Sequence, residues 1–135
     1  MTTMTAPARA QALRFVQPLP GFEGDETYSL QAIDEHASLF SMRSVNRPDV
    51  RFVLTPSNRF FDDYVPALGS DVEAALDVSD GADVTVLLVL TISGDGLRDA
   101  TANLRAPIVV DNNTGRALQV ILDDESLPMR RPLVA

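Results

Sequence analysis

The chain has 135 residues, 45% hydrophobic and 22% charged, with a formal charge of −8 and no cysteine. This describes one globular domain with room for a real core, and it excludes a disordered chain, disulfides, thiol catalysis and zinc–thiolate sites. Direct nucleic-acid binding is disfavoured, because phosphates need a positive face and here eleven arginines, with no lysine, are scattered among nineteen acids.

Met1 to Ala12 is rich in Thr and Ala and lacks the apolar segment of a signal peptide. It is read as a flexible N-terminal tail, 1–12, ahead of a single domain over 13–135. Pro20-Gly21 signals a type II turn, with Phe22 tucked beneath it. Thr27 to Ile33 then alternates, with Tyr28, Leu30 and Ala32 on one face. Leu39 to Val45 does the same through Phe40 and Met42, and Arg51 to Thr55 through Phe52 and Leu54. Period two marks half-buried strands.

Two short helices are expected between strands. Asn58 to Val65, following Pro56, has room for one or two turns. Ser70-Asp71-Val72-Glu73 has the form of a capping box ahead of Ala74, Ala75 and Leu76, with Gly81 available to end that helix or the link after it. Val84 to Ile92 is apolar on both faces and rich in Val, Ile and Thr, which predicts a central strand covered on both sides. No apolar run approaches the ~20 residues that span a bilayer.

Thr101 to Asn112, "TANLRAPIVVDN", interrupts the apolar pattern and resumes it at Ile108. Pro107 has no N–H and biases Ala106 toward an extended conformation. The expected form is a chain extended from Leu104 to Val110 that drops one ladder hydrogen bond at Pro107, a strand bent at a barrel corner. Asp111 to Gly115 is a turn, and Leu118, Val120 and Leu122 share the face of a returning strand. The predicted fold class is all-β with one or two short helices, a small closed antiparallel β-barrel or barrel-like sandwich.

Catalytic constellations are not evident. The single histidine, His36, sits in an acidic loop stretch. Asp62 and Asp63 are adjacent, so their side chains diverge in a strand or a helix. Asp123-Asp124-Glu125 lacks the spacing of a calcium loop, and Gly94-Asp95-Gly96 continues into no phosphate-binding motif. Ser41, Ser57 and Ser93 lack a nucleophile-elbow context. No enzyme activity, metal or cofactor is expected. A small-ligand barrel would need an apolar cavity with convergent polar groups, and the sequence commits no residues to one.

"TANLRAPIVVDN" resembles the pattern T-x-N-L-x-A-P-I/V-V-I-N of the bacterial flagellar assembly factor FliW family. "LRFVQPLPGFEG" (Leu13 to Gly24) resembles that family's opening strand and L-P-G-F turn. "LFSMRSV" (Leu39 to Val45), "RFVLTPSNRFFDDY" (Arg51 to Tyr64) and "ALQVIL" (Ala117 to Leu122) follow in the family's order. The resemblance covers Phe15 to Leu133. Departures are Arg43 in place of a usual Gln, Asp111 in place of a closing Asn, a turn over Asn112 to Gly115 without basic residues, and Met129 near a place often held by an aromatic.

The resemblance implies a non-enzymatic cytoplasmic protein that binds the translational repressor CsrA and relieves its block on flagellin synthesis. It also implies competing binding to flagellin, with no RNA or membrane contact and a monomer when free. A flagellin-binding chaperone-type module without repressor binding is the alternative. The expected partner-binding residues fall in two sets. Phe60, Phe61, Asp62, Asp63 and Tyr64 combine aromatic anchors with acid, the composition of an interface centre and rim; alternatively Phe60 and Tyr64 cap the core. Thr101, Asn103 and Leu104 form the second set, in which Asn103 alternatively satisfies backbone groups at the corner.

Overall fold

The computed structural model describes residues 3–4, 10–61, 64, 70–76, 83–92 and 100–133. Its longest strand, β6 (Asp83–Thr91), organises the sheet. One edge of β6 pairs antiparallel with β5 (Arg51–Pro56) and, near its start, in parallel with β1 (Thr3–Met4). From β5 the sheet runs antiparallel through β4 (Phe40–Ser44) and β3 (Thr27–Ala32) to β2 (Ala10–Phe15). The other edge of β6 carries β7 (Thr101–Ala102) and β8 (Ile108–Asp111), and β8 forms a hairpin with β9 (Arg116–Gln119).

β2 meets β9 in parallel through Arg14↔Arg116 and Phe15↔Ala117, which closes a seven-strand barrel. Strand directions cannot alternate around an odd-numbered ring, so one seam must be parallel. The expected barrel is therefore present, but it is mixed rather than purely antiparallel. The seam is only two residue pairs long. Backbone bonds from Arg14 N to Gly115 O (2.8 Å) and from Val16 N to Ala117 O (2.9 Å) extend it.

Two cores follow from the double-faced burial of β6. Leu87 joins Leu13, Tyr28, Phe40, Met42 and Leu54 inside the barrel. Val84, Val86, Leu88 and Leu90 point outward into a second cluster. That outer face is roofed by Phe61, Tyr64, and Val72 and Leu76 of α2 (Ser70–Leu76). Each fully buried leucine contributes about 1.5–3 kcal/mol relative to exposure, so a nine-residue strand covered on both faces ties the two cores together.

The predicted strands correspond to β3, β4, β5 and β6, and the predicted turn after Asp111 joins β8 to β9. The segment after Pro56 forms a single turn, α1 (Ser57–Phe60). Leu19 O accepts from Phe22 N at 2.9 Å with Gly21 at φ 86, which is the expected type II turn. Within the segment read as tail, Thr3–Met4 adds to β6, and β2 already starts at Ala10, paired with Gln31. Backbone pairing there needs no apolar side chains, so the hydrophobic pattern left it unmarked.

The corner also differs from expectation. The chain does not stay in one strand from Leu104 to Val110. It keeps hold of β6 through the Asn103 N–H to Val89 O, bends over 104–106 and rejoins at Ile108, so residues 103–107 make a largely buried excursion between β7 and β8. Val65, Gly81, Ser93 and Gly94-Asp95-Gly96 lie outside the described residues.

Candidate partner-binding surface

The excursion at 103–107 is built from its own side chains first. Asn103 Oδ1 accepts from Arg105 N at 3.0 Å, an Asx-type turn, while Asn103 N donates to Val89 O of β6 at 3.1 Å. Arg105 then clamps the C-terminal segment. Its Nε and Nη2 donate to Leu127 O at 3.1 and 2.9 Å, and Nη2 also reaches Glu125 O at 3.1 Å. The backbone completes the wrap: Leu104 N donates to Pro128 O (3.1 Å), Leu122 N to Arg105 O (2.8 Å) and Val120 N to Pro107 O (2.9 Å). β10 (Arg131–Pro132) ends it by pairing with Thr101 and Ala102 of β7.

The structure brings the two predicted sets together at this point. Tyr64 Oη donates to Leu104 O at 2.7 Å. Both residues are buried in the outer core, as is Phe61, over whose ring the Arg131 guanidinium sits at 4.9 Å. Burial pushes the Tyr64 phenol up to about 12. Thr101 is half-buried in β7. Phe60, at the end of α1, is 38% exposed and presents its ring to solvent. Asp62 and Asp63 lie outside the described residues.

Sequence reasoning passed over four residues that shape this surface. Arg105 occupies an unspecified place in the motif, yet it holds three carbonyl contacts. Asp25 is 1% exposed and accepts from Ser44 Oγ (2.8 Å) and Arg47 Nε (2.8 Å), with Arg47 Nη2 also donating. The Arg47 guanidinium beside it, with help from Ser44, holds the Asp25 carboxyl below the usual carboxylate range. Arg47 also lies 6.0 Å from the centroid of the Phe22 ring, so this ion pair steadies the type II turn. The fourth residue, Gln119, faces the barrel interior, and its Nε2 donates to Ala106 O at 3.3 Å. A buried Asp beside an Arg–Pro loop carries no sequence signal, because the contact spans two strands.

Among the departures, Asp111 is buried and organises the turn after β8. Its Oδ1 accepts from Asn113 N (3.0 Å) and its Oδ2 from Thr114 Oγ1 (2.8 Å). Arg43 is exposed on β4. His36 is exposed in the loop that Asp34 ties down by accepting from Ser38 N and Leu39 N, both at 2.9 Å.

At one end of the barrel, beneath the type II turn, lies a cavity of about 160 Å³ with apolar walls and two carboxamides, Asn103 and Gln119. The lining comes from the type II turn, β4, β5, β6, the 103–107 excursion, β8 and β9, which is why the sequence commits none of these residues to a cavity.

The sequence profile of the FliW protein family matches residues 2–133. The flagellar assembly factor FliW of Syntrophotalea carbinolica is 36% identical over 121 residues, covering 90% of this chain and 85% of that protein. The factor of Bacillus licheniformis is 32% identical over 123 residues, covering 91% and 85%. A crystal structure of the flagellar assembly factor FliW superposes with a TM-score of 0.82 at 29% identity, covering 92% of this chain and 86% of the other. With a mixed barrel and two short helices shared with that structure, and the motif residues built into its corner, the chain belongs to the FliW family of flagellar assembly factors.

Proposed function

We propose that this chain acts in the cytoplasm as a non-enzymatic regulator. It binds a CsrA-type translational repressor, relieves its block on flagellin synthesis, and exchanges that partner for flagellin. The observation that carries this reading is membership of the FliW family over residues 2–133. The charge of −8 supports it, since an acidic surface suits a partner whose own RNA-binding face is basic and does not suit RNA itself. The free protein is taken to be a monomer.

The test is a gel shift with a flagellin leader RNA, the repressor and this protein in all combinations. The protein alone should leave the RNA unshifted at physiological salt. With the repressor present it should reduce RNA occupancy, and added flagellin should restore it. Direct RNA binding by this protein alone overturns the proposal. A repressor–RNA complex unchanged at saturating protein and low salt leaves only the flagellin-binding chaperone.

For the contact surface, Phe60, Phe61, Asp62, Asp63, Tyr64, Thr101, Asn103 and Leu104 are proposed, with Phe60 as an anchor and the charges of Asp62 and Asp63 steering the partner. Charge reversal at Asp62 and Asp63 should slow association and flatten its salt dependence. Phe60→Ala should mainly raise the dissociation rate. Surface plasmon resonance at two ionic strengths separates the two, and unchanged kinetics in both variants moves the surface elsewhere.

A further inference from the structure

We propose that the open end of the barrel is a receptor for one apolar side chain of a partner peptide, with Asn103 and Gln119 holding the adjoining peptide bond. The proposal rests on the reading of this chain as a protein-binding factor and specifies how a partner is held.

The cavity has about 160 Å³. An apolar cavity of about 150 Å³ in another protein admits benzene, so this space fits a side chain the size of phenylalanine, leucine or methionine. Its walls are Met42 and Phe52, paired across β4 and β5, with Val89 and Ile108 opposite. The turn from Leu19 to Phe22 forms its lip. Phe22 stands edge-on to Phe52, with ring centroids 5.3 Å apart, and is backed by Arg47. Phe22, Phe52, Asn103 and Gln119 keep partial exposure, so the space opens to solvent.

The polar atoms select the class of ligand. Asn103 uses Oδ1 on Arg105 N, and Gln119 uses Nε2 on Ala106 O. Among the described residues, Asn103 Nδ2 and Gln119 Oε1 hold no partner. One free donor and one free acceptor complement the C=O and N–H of a secondary amide. Among the described residues no charged side chain lines the cavity, so a carboxylate or phosphate would find no counter-charge in them. A peptide bond beside an apolar side chain meets each of these conditions.

The test begins with N-acetyl-phenylalanine N-methylamide titrated into the labelled protein and followed by amide NMR. Saturable shifts are expected at Phe52, Val89, Asn103 and Gln119. N-acetylglycine N-methylamide should give none, and toluene should bind without sensing the carboxamides. Val89→Phe puts a ring into the cavity, leaving no room for a second one, and should abolish the phenylalanine response. Asn103→Asp keeps the acceptor for Arg105 N but removes the donor, so it should weaken the amide several-fold and leave toluene unchanged. Whichever of flagellin or repressor binds the wild type should then lose at least roughly tenfold in affinity for Val89→Phe. Absence of saturable shifts, or shifts that survive Val89→Phe, overturns the inference. So does a partner that binds Val89→Phe as tightly as wild type, although the proposed function then stands. If neither partner binds the wild type, the proposed function fails, and with it the peptide as occupant, whatever the amide titration shows of the cavity.

Discussion

Tyr64 donates its hydroxyl to the carbonyl of Leu104 at 2.7 Å, forty residues away along the chain, and both are buried. Through this bond the segment after α1 is fastened to the excursion between β7 and β8. Leu104 in turn receives the C-terminal segment through its own N–H. Tyr64→Phe leaves the Leu104 carbonyl without that donor, and should cost about 1–3 kcal/mol in urea unfolding. The phenol should titrate at about 12 in the folded protein against an ordinary value near 10. Its folded value is raised, so the associated stability is complete below about pH 10 and is lost as pH rises toward 12. Ultraviolet titration of the phenolate at folding-permissive denaturant checks both numbers.

Arg105 should act as the clasp of the C-terminal segment. Arg105→Lys keeps the charge but loses the planar fork that serves Leu127 O and Glu125 O together. A loss of about 1–3 kcal/mol is expected. Hydrogen exchange should quicken at Leu104, Leu122 and Leu127 while the amides of β3 and β4 keep their protection. Uniform loss across the barrel would show instead that the segment and the barrel unfold as one unit.

Gly115 and Gly21 both have positive φ, 78 and 86, but only one of them is crowded. A Cβ at Gly115 would lie 2.5 Å from Ala12 O, a backbone atom of β2, whereas nothing lies within 4 Å at Gly21. Gly21→Ala should therefore cost only the left-handed backbone penalty of about 1–2 kcal/mol. Gly115→Ala should cost more, because the short parallel seam between β2 and β9 must shift. Equal midpoints in urea for the two variants would mean the seam yields freely.

Asp25 links stability to acid. Its carboxyl is held low chiefly by Arg47, and those of Asp34 and Asp124 chiefly by Ser38 and Ser126. For a lowered carboxylate the stabilisation is present above the unfolded value, near pH 4, and is lost as pH falls through the folded one. Asp25→Asn should lower stability at pH 7 and flatten the acid limb of the stability curve. An unchanged acid limb, followed by circular dichroism from pH 7 to pH 2, would show that the Asp25–Arg47 pair contributes no linkage.

The local pattern determined β3, β4, β5 and β6 and the type II turn, because period two and Pro-Gly act within a few residues. It also determined that β6 is covered on both faces, since Leu87 and Val89 are as poorly suited to water as their neighbours. It did not determine which face is inside. The wholly apolar row of Val84, Val86, Leu88 and Leu90 lies outside the barrel under Phe61, Tyr64 and α2, and the inner face is the mixed one. Alternation reports that a side chain is buried but not against what. The parallel seam of β2 on β9, the clasp of Arg105 on Leu127, and the meeting of Asn103 with Gln119 over one cavity were all decided by the tertiary structure. Each joins residues from distant segments through backbone groups or single polar side chains. Such contacts depend on how the ring closes, and they leave no period in the chain.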